Sequence, residues 1–290
     1  MKKKIESKQG YIQVPGGRVW YKRVGKSSGT PLIILHGGPG YPHDYLLPFE
    51  DLSDEREVIF YDQLGCGRSD RPKDKSLWTV ERFVEELATI VATLQLKKYH
   101  ILGHSWGAAL GTSFALTKPR GLESLTLVSG YLSTPVWMKD AKRLMKQLPV
   151  ATQAILKKHE KEGTATSQEF QKAAKAYYKL FITRMDKNMP SFTKFRKGKN
   201  EIIYTTMWGP KEFSATGTLK NFDLTPRLTE VTLPVLLICG RYDEATPKVN
   251  EYFKRLFPHA QLHVFEDSAH YPFWNEREAC MQTILEFLSF

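Results

Sequence analysis

The chain has few cysteines, no long apolar run and no low-complexity segment, and each absence excludes a class of protein. Its 290 residues include three cysteines, Cys66, Cys239 and Cys280, which lie far apart and form no C-x-x-C pair. This argues against a disulfide framework and a zinc knuckle, so we expect no bound metal. No apolar run reaches the roughly 18 residues of a membrane span. The basic start of the chain lacks the apolar stretch of a secretory signal, so a cytoplasmic protein is expected.

Acidic residues are scarce relative to basic ones, and the formal net charge is +11. Nearly all of the excess lies between residues 131 and 215, where 17 basic residues stand against 7 acidic ones. These lysines lie beside acids and helix-forming residues, not in Gly/Arg-rich or aromatic-interleaved stretches. The pattern favours a solvated helical surface over a nucleic-acid site. We therefore expect neither nucleic acid nor membrane as a partner.

Strand and helix patterns alternate along much of the chain. A Pro-Gly-Gly turn between two alternating segments predicts a hairpin. Short apolar runs further on are typical of buried parallel strands, and a helical pattern at 81–94 has Thr79 as its N-cap. The alternation predicts an α/β fold, with a mostly parallel sheet covered by helices on both faces. The predicted strands are residues 11–14, 18–24, 32–35, 57–61, 100–102, 124–128, 234–239 and 260–265.

The alternation stops near Tyr131 and resumes near Leu233. The lysine-rich segment between them shows helical periodicity and no buried-strand pattern. We therefore predict a discontinuous core, residues 1–130 and 216–290, with a helical cap at 131–215 inserted into it.

Residues 103–107 read Gly-His-Ser-Trp-Gly, a G-x-S-x-G pentapeptide between an apolar strand pattern and a small-residue helix pattern. In that context a sharp turn exposes the serine hydroxyl above the sheet, and the glycines permit close backbone approach. A helix start with a capping serine would fit the pentapeptide alone. The flanking strand and helix favour a nucleophile, so Ser105 is the candidate.

A serine hydroxyl needs a base to accept its proton, and that base needs a carboxylate to orient it. In the α/β-hydrolase fold the acid and then the histidine follow the serine, on loops after later strands. Asp243 lies just past the strand predicted at 234–239, and His270 just past the one at 260–265. This joint placement predicts a Ser105–Asp243–His270 triad. His104, beside the serine, is expected to support the turn.

Acyl transfer also needs hydrogen-bond donors for the oxyanion that develops in the transition state. The backbone N–H of Trp106, which follows the nucleophile, is one candidate. The other should come from the loop at residues 36–40, His-Gly-Gly-Pro-Gly, where successive glycines let amides face a ligand. This loop matches neither glycine-rich phosphate-binding pattern.

Together with these two segments, residues 62–69 (Asp-Gln-Leu-Gly-Cys-Gly-Arg-Ser) resemble the proline iminopeptidases, which are α/β-hydrolase aminopeptidases. The similarity covers essentially the whole chain, more weakly in the cap, and is closest to the tricorn-interacting aminopeptidase branch. It implies a cofactor-free enzyme that releases one N-terminal residue, often proline, from short peptides. Ala108 departs from the third glycine that many relatives carry there.

The resemblance also assigns roles to seven residues. Ser105 would be the nucleophile, with Asp243 and His270 as its partners. The oxyanion donors would be Gly37 and Trp106, and Glu212 and Glu244 would hold the free amino group of the substrate. Physical chemistry supports the last role, because a buried acidic pair left without a cation would reject an internal, uncharged peptide bond.

Two other functions fit the same residues. An amino-acid amidase or an esterase could use the same triad, and the two glutamates would then be solvated surface carboxylates. A non-catalytic binding protein could keep the whole fold and the triad. The sequence carries no prediction of oligomeric state or of the preferred N-terminal residue.

Overall fold

The structure is a computed structural model that describes residues 7–25, 29–165, 167–184 and 197–289. The basic start of the chain and residues 194–196 of the lysine-rich segment lie outside the described residues. Within the described part of the chain, no helix is long and apolar enough to cross a membrane.

Eight strands form one sheet in the order β1-β2-β4-β3-β5-β6-β7-β8. Strand β2 is antiparallel to both β1 and β4, and all the other pairs are parallel. Each predicted strand overlaps an observed one, and the predicted α/β class is confirmed. The strands are β1 Ser7–Val14, β2 Gly17–Val24, β3 Leu32–Leu35, β4 Val58–Tyr61, β5 Tyr99–His104, β6 Leu122–Val128, β7 Val235–Gly240 and β8 Ala260–Phe265.

The central strands form the core because their side chains are apolar on both faces. Every residue of β3 and β4 is buried, as expected for parallel strands covered by helices on both sides. The edge strand β8 alternates instead between half-buried and exposed residues over most of its length. This burial gradient places β5, which leads into Ser105, at the rigid centre of the sheet.

Helices connect the strands and cover both faces. The hydroxyl of Thr79 accepts a hydrogen bond from the N–H of Arg82 at the start of α1, so the predicted N-cap is confirmed. The helices are α1 Val80–Thr93, α2 Trp106–Ala115, α3 Thr134–Met145, α4 Val150–Lys161, α5 Gln168–Phe181, α6 Glu201–Met207, α7 Pro247–Leu256, α8 Pro272–Asn275 and α9 Arg277–Phe287. Segments of 3₁₀ helix occupy His43–Asp54, Lys75–Leu77, Thr218–Asn221 and Thr225–Glu230.

Helices α3 to α6 all lie between β6 and β7, in the segment for which a helical cap is predicted. Hydrogen bonds join this segment to the active-site loops, and others connect its own parts. The N–H of Glu244 donates to the carbonyl of Phe181 at the end of α5 (3.1 Å), and the indole N–H of Trp137 donates to the carbonyl of Glu212 (3.1 Å). The boundaries of a separate cap unit stay a prediction.

Candidate active site

Ser105 occupies the turn between β5 and α2, as the pentapeptide predicts. Its backbone has φ 55° and ψ −119°, a strained conformation for a residue with a side chain. Both neighbouring glycines are required by close packing. A Cβ at Gly103 would collide with the carbonyl of Gly107, and one at Gly107 would collide with the carbonyl of Leu35. The sequence of this turn therefore places the serine at the carboxyl end of the central strand β5, in the tight turn before α2.

Asp243 and His270 meet beyond the ends of β7 and β8. The Nδ1 atom of His270 lies 2.8 Å from Oδ1 of Asp243, and both side chains are buried. The same carboxylate oxygen accepts the N–H of Ala245 (2.9 Å), which fixes its orientation. Among the described residues no hydrogen bond joins His270 to Ser105, so that link stays a prediction. Such bonds are often long before substrate binds.

A cavity opens directly beside Ser105, and four of its nine lining residues are aromatic. Trp208 packs edge-on against both Tyr131 (ring centroids 5.1 Å apart) and Trp137 (6.1 Å). Glu212 contributes a carboxylate to this otherwise apolar wall. The cavity thus combines a largely apolar surface with an acidic residue, Glu212, and the candidate nucleophile Ser105. Its lining residues are Gly38, Pro39, Ser105, Trp106, Tyr131, Trp137, Trp208, Glu212 and Leu219.

Glu212 follows α6 and is held by a neighbouring phenol. The hydroxyl of Tyr204 donates a 2.6 Å hydrogen bond to its Oε1 atom. Burial raises the pKa of Glu212, while the Tyr204 bond, the nearby His270 ring and the ammonium groups of Lys199 and Lys211 oppose this rise. The carboxylate is therefore costly to ionise without a further cation.

Glu244 directly follows Asp243, and its side chain is 4% exposed. Burial raises its pKa well above the ordinary range, and repulsion from Glu212 and then Asp243 adds to the effect. Tyr177 lies close enough to temper the rise, but without the geometry of a hydrogen bond, and Oε2 of Glu244 has no hydrogen-bond partner among the described residues. The structure thus brings two acidic side chains near enough to repel each other. One of them, Glu244, has a carboxylate oxygen without a hydrogen-bond partner among the described residues.

The predicted oxyanion donor Gly37 is already engaged. Its N–H donates a 2.6 Å hydrogen bond to the hydroxyl of Tyr45, so it is not open to a substrate in this structure. The next residue, Gly38, lines the cavity together with Ser105 and Trp106. The loop named by the resemblance therefore offers a second candidate, Gly38, and the oxyanion donors stay a prediction.

Several residues of the site are absent from the sequence-based prediction. Four aromatic residues lie near the glutamates: Trp137 in α3, Tyr177 in α5, Tyr204 in α6, and Trp208 directly after α6. All four are buried, as are many other aromatic side chains of the core. No spacing rule separates them from ordinary core residues. Within the described ranges, no group of three or more His, Cys, Asp or Glu side chains is arranged to hold a metal.

The model of the alpha/beta hydrolase fold family matches residues 30–277. The protein is therefore an α/β hydrolase, and this confirms the fold class that the sequence predicts.

Full-length comparisons narrow the family. The chain is 47% identical to a proline iminopeptidase of Heyndrickxia coagulans, covering 97% of this chain and 98% of that protein. It is 38% identical to one of Saccharolobus solfataricus, with 98% and 93% covered. The crystal structure of the Mycobacterium smegmatis proline iminopeptidase superposes with a TM-score of 0.87 at 34% identity, covering 97% of each chain. The chain belongs to the proline iminopeptidase family. Its place in the tricorn-interacting branch stays a prediction.

Proposed function

We infer that this protein is a prolyl aminopeptidase, a serine hydrolase that releases N-terminal proline from short peptides. The observation that carries this inference is the acidic pair Glu212 and Glu244 near the cavity of Ser105. Two carboxylates whose pKa values are raised by burial and mutual repulsion are stabilised by a bound cation, such as a protonated terminal amine. The aromatic wall supports a preference for an apolar residue such as proline.

We propose that catalysis proceeds through an acyl-enzyme. The hydroxyl of Ser105 attacks the first carbonyl of the peptide while His270 takes its proton. His270 then gives that proton to the leaving amine as the scissile C–N bond breaks. A water molecule attacks the resulting ester, again with His270 as base, and releases proline and the free serine. Asp243, bonded to His270, holds the ring and stabilises its protonated form.

For the oxyanion we propose the backbone N–H groups of Trp106 and Gly38. Trp106 follows the nucleophile, and Gly38 borders the cavity. This replaces Gly37 in the sequence-based prediction, because the N–H of Gly37 donates to Tyr45. Donors fixed in advance around the developing charge are commonly the largest contribution to the rate of acyl transfer.

The proposed substrates are short peptides with a free N-terminus. A cytoplasmic location is also proposed, and it is supported by three cysteines that are free and buried.

Proline p-nitroanilide, its N-acetyl derivative and a neutral ester such as p-nitrophenyl acetate test this function together. We expect the wild type to hydrolyse the free prolyl substrate and to leave the acetylated one nearly untouched, since acetylation removes the cation. The Ser105→Ala variant should lose hydrolysis of both proline p-nitroanilide and p-nitrophenyl acetate. Equal rates on the free and acetylated substrates would contradict the aminopeptidase function and favour an amidase or esterase. Absence of all turnover would favour a binding protein.

A further inference from the structure

A buried chain of hydrogen bonds runs beneath Ser105 and joins the glycine loop to the loop of the triad histidine. The N–H of Gly37 donates to the Tyr45 hydroxyl (2.6 Å), and the Tyr45 oxygen lies 2.9 Å from Nδ1 of His104. Nε2 of His104 lies 2.9 Å from the carbonyl oxygen of His270, which also accepts the hydroxyl of Ser129 (3.1 Å). The side chains of Tyr45 and His104 are each 2% exposed.

The positions of the protons in this chain follow from its two ends. A backbone N–H can only donate and a carbonyl can only accept. Nε2 of His104 must therefore carry a proton. Burial, with a smaller contribution from the nearby His270 ring, lowers the pKa of His104 well below the ordinary value, so the ring is neutral and its Nδ1 accepts the proton of the Tyr45 hydroxyl. In this arrangement every donor of the chain has an acceptor.

Ring packing holds the same groups in place. The imidazole of His104 stacks on the ring of Tyr271 (centroids 5.5 Å apart, 23° between planes) and meets His270 edge-on at 4.7 Å. Tyr45 also packs edge-on against Tyr271 at 6.0 Å. Both hydrogen bonds and ring contacts therefore hold the segment that carries His270.

We propose that Tyr45 and His104 are positioning residues, whose hydrogen-bonded chain fixes the glycine loop and the His270 loop relative to each other around Ser105. This rests on the proposed function, because it concerns the same triad and the same oxyanion donors. Engaging the N–H of Gly37 orients that peptide, and the following N–H, that of Gly38, belongs to a residue that lines the cavity. Engaging the carbonyl of His270 fixes the backbone from which the general base projects.

Single-atom and conservative variants separate this role from general core stability. Tyr45→Phe removes only the hydroxyl that bonds both the N–H of Gly37 and Nδ1 of His104. His104→Gln keeps an amide donor for the carbonyl of His270, whereas His104→Ala keeps neither bond. Tyr61→Phe is a matched control, since the Tyr61 hydroxyl is buried and has no hydrogen-bond partner among the described residues. His100→Ala removes an equally buried histidine from the other end of β5.

The experiment measures kcat and KM for proline p-nitroanilide, and the rate at which a reactive phosphonate labels Ser105. We expect kcat and the labelling rate to fall about tenfold in Tyr45→Phe, with KM changed less than about twofold, as for loss of an interaction that positions reacting groups. His104→Gln should keep more activity than His104→Ala, and the controls should label at the wild-type rate. The double variant Tyr45→Phe/His104→Ala should lose no more than the His104→Ala variant, since both residues belong to one chain.

Two results would overturn the proposal. One is labelling of Tyr45→Phe at the wild-type rate. The other is equal slowing of labelling in the controls, which would show that core destabilisation alone accounts for the effect. The labelling rate does not depend on recognition of a substrate amine. If the wild type were inactive on prolyl substrates while Tyr45→Phe slowed labelling, the proposed function would fail and the positioning role would stand.

Discussion

The hydroxyl of Tyr204 donates a 2.6 Å hydrogen bond to Oε1 of Glu212, and the aromatic ring of the same tyrosine lies 4.5 Å from the ammonium group of Lys199. A single side chain therefore stabilises the ionised form of one proposed amine-binding carboxylate and is itself held by a cation. Since burial raises the pKa of Glu212, this bond helps keep the carboxylate charged when the substrate arrives.

Tyr204→Phe should weaken binding of the prolyl substrate. Losing a hydrogen bond to an ionised carboxylate costs about 1.5–3 kcal/mol, so KM for proline p-nitroanilide should rise about tenfold or more. Because that bond lowers the pKa of Glu212, the acidic limb of the kcat/KM profile should move to higher pH. Steady-state kinetics across the neutral and mildly acidic range measure both effects. Tyr99→Phe is the control, as its buried hydroxyl has no hydrogen-bond partner among the described residues; matching changes in it would refute the prediction.

Removing either acidic charge should separate aminopeptidase from esterase activity. We expect Glu212→Gln and Glu244→Gln each to lower kcat/KM for proline p-nitroanilide by at least about tenfold, the equivalent of 1.36 kcal/mol. Hydrolysis of p-nitrophenyl acetate should stay within about twofold of the wild type, since that substrate has no amine. Glu201→Gln, an exposed acid on α6, is the control. Equal losses on both substrates would mean that the glutamates do not recognise the amine.

The acidic pair should also weaken the fold as pH rises above the ordinary glutamate pKa of about 4.3. The pKa of Glu244 is raised in the folded state, so the carboxyl favours folding while it is protonated, and this contribution is lost as pH rises through the folded value. Glu244→Gln should therefore raise the melting temperature more at about pH 8 than at about pH 5. Thermal melts at the two pH values measure this. An equal rise at both would indicate a packing effect without a role for the charge.

Buried neutral histidines give the opposite dependence on acid. Burial lowers the pKa of His36 and His100 to about 4, so protonation favours the unfolded chain as pH falls from about 6.5 towards 4. In His100→Gln the difference in unfolding free energy between about pH 7 and pH 5 should be smaller than in the wild type. Urea titrations at both pH values give this difference. If it is unchanged, His100 does not titrate as the structure indicates.

The positions of the proposed triad residues follow from local sequence because each one lies in the turn or loop after a parallel strand. Ser105 comes directly after β5, Asp243 and His270 lie in the loops past β7 and β8, and in a parallel sheet those strand ends share one edge. The pentapeptide also predicts the roles of the turn glycines at 103 and 107, since the close backbone packing there leaves no room for a side chain. Strand bounds differ from the observed ones by only a few residues.

The supporting contacts could not be predicted because they join segments far apart in sequence. Tyr45 reaches His104 across 59 positions, and His104 reaches His270 across 166. Tyr45 lies in the 3₁₀ segment His43–Asp54, whose apolar residues look in the sequence like those of any buried connecting segment. The choice between Gly37 and Gly38 depends on this one tyrosine hydroxyl, so no local motif could have made it.

Chemical labelling of the nucleophile, followed by peptide mass spectrometry, tests the central claim most directly. We expect a serine-reactive phosphonate to add one group per protein molecule, with the adduct at Ser105 and hydrolysis of proline p-nitroanilide falling in proportion to labelling. Free proline p-nitroanilide should slow the labelling, while its N-acetyl derivative should not. Complete modification at another residue, or full prolyl hydrolysis by Ser105→Ala, would contradict the account.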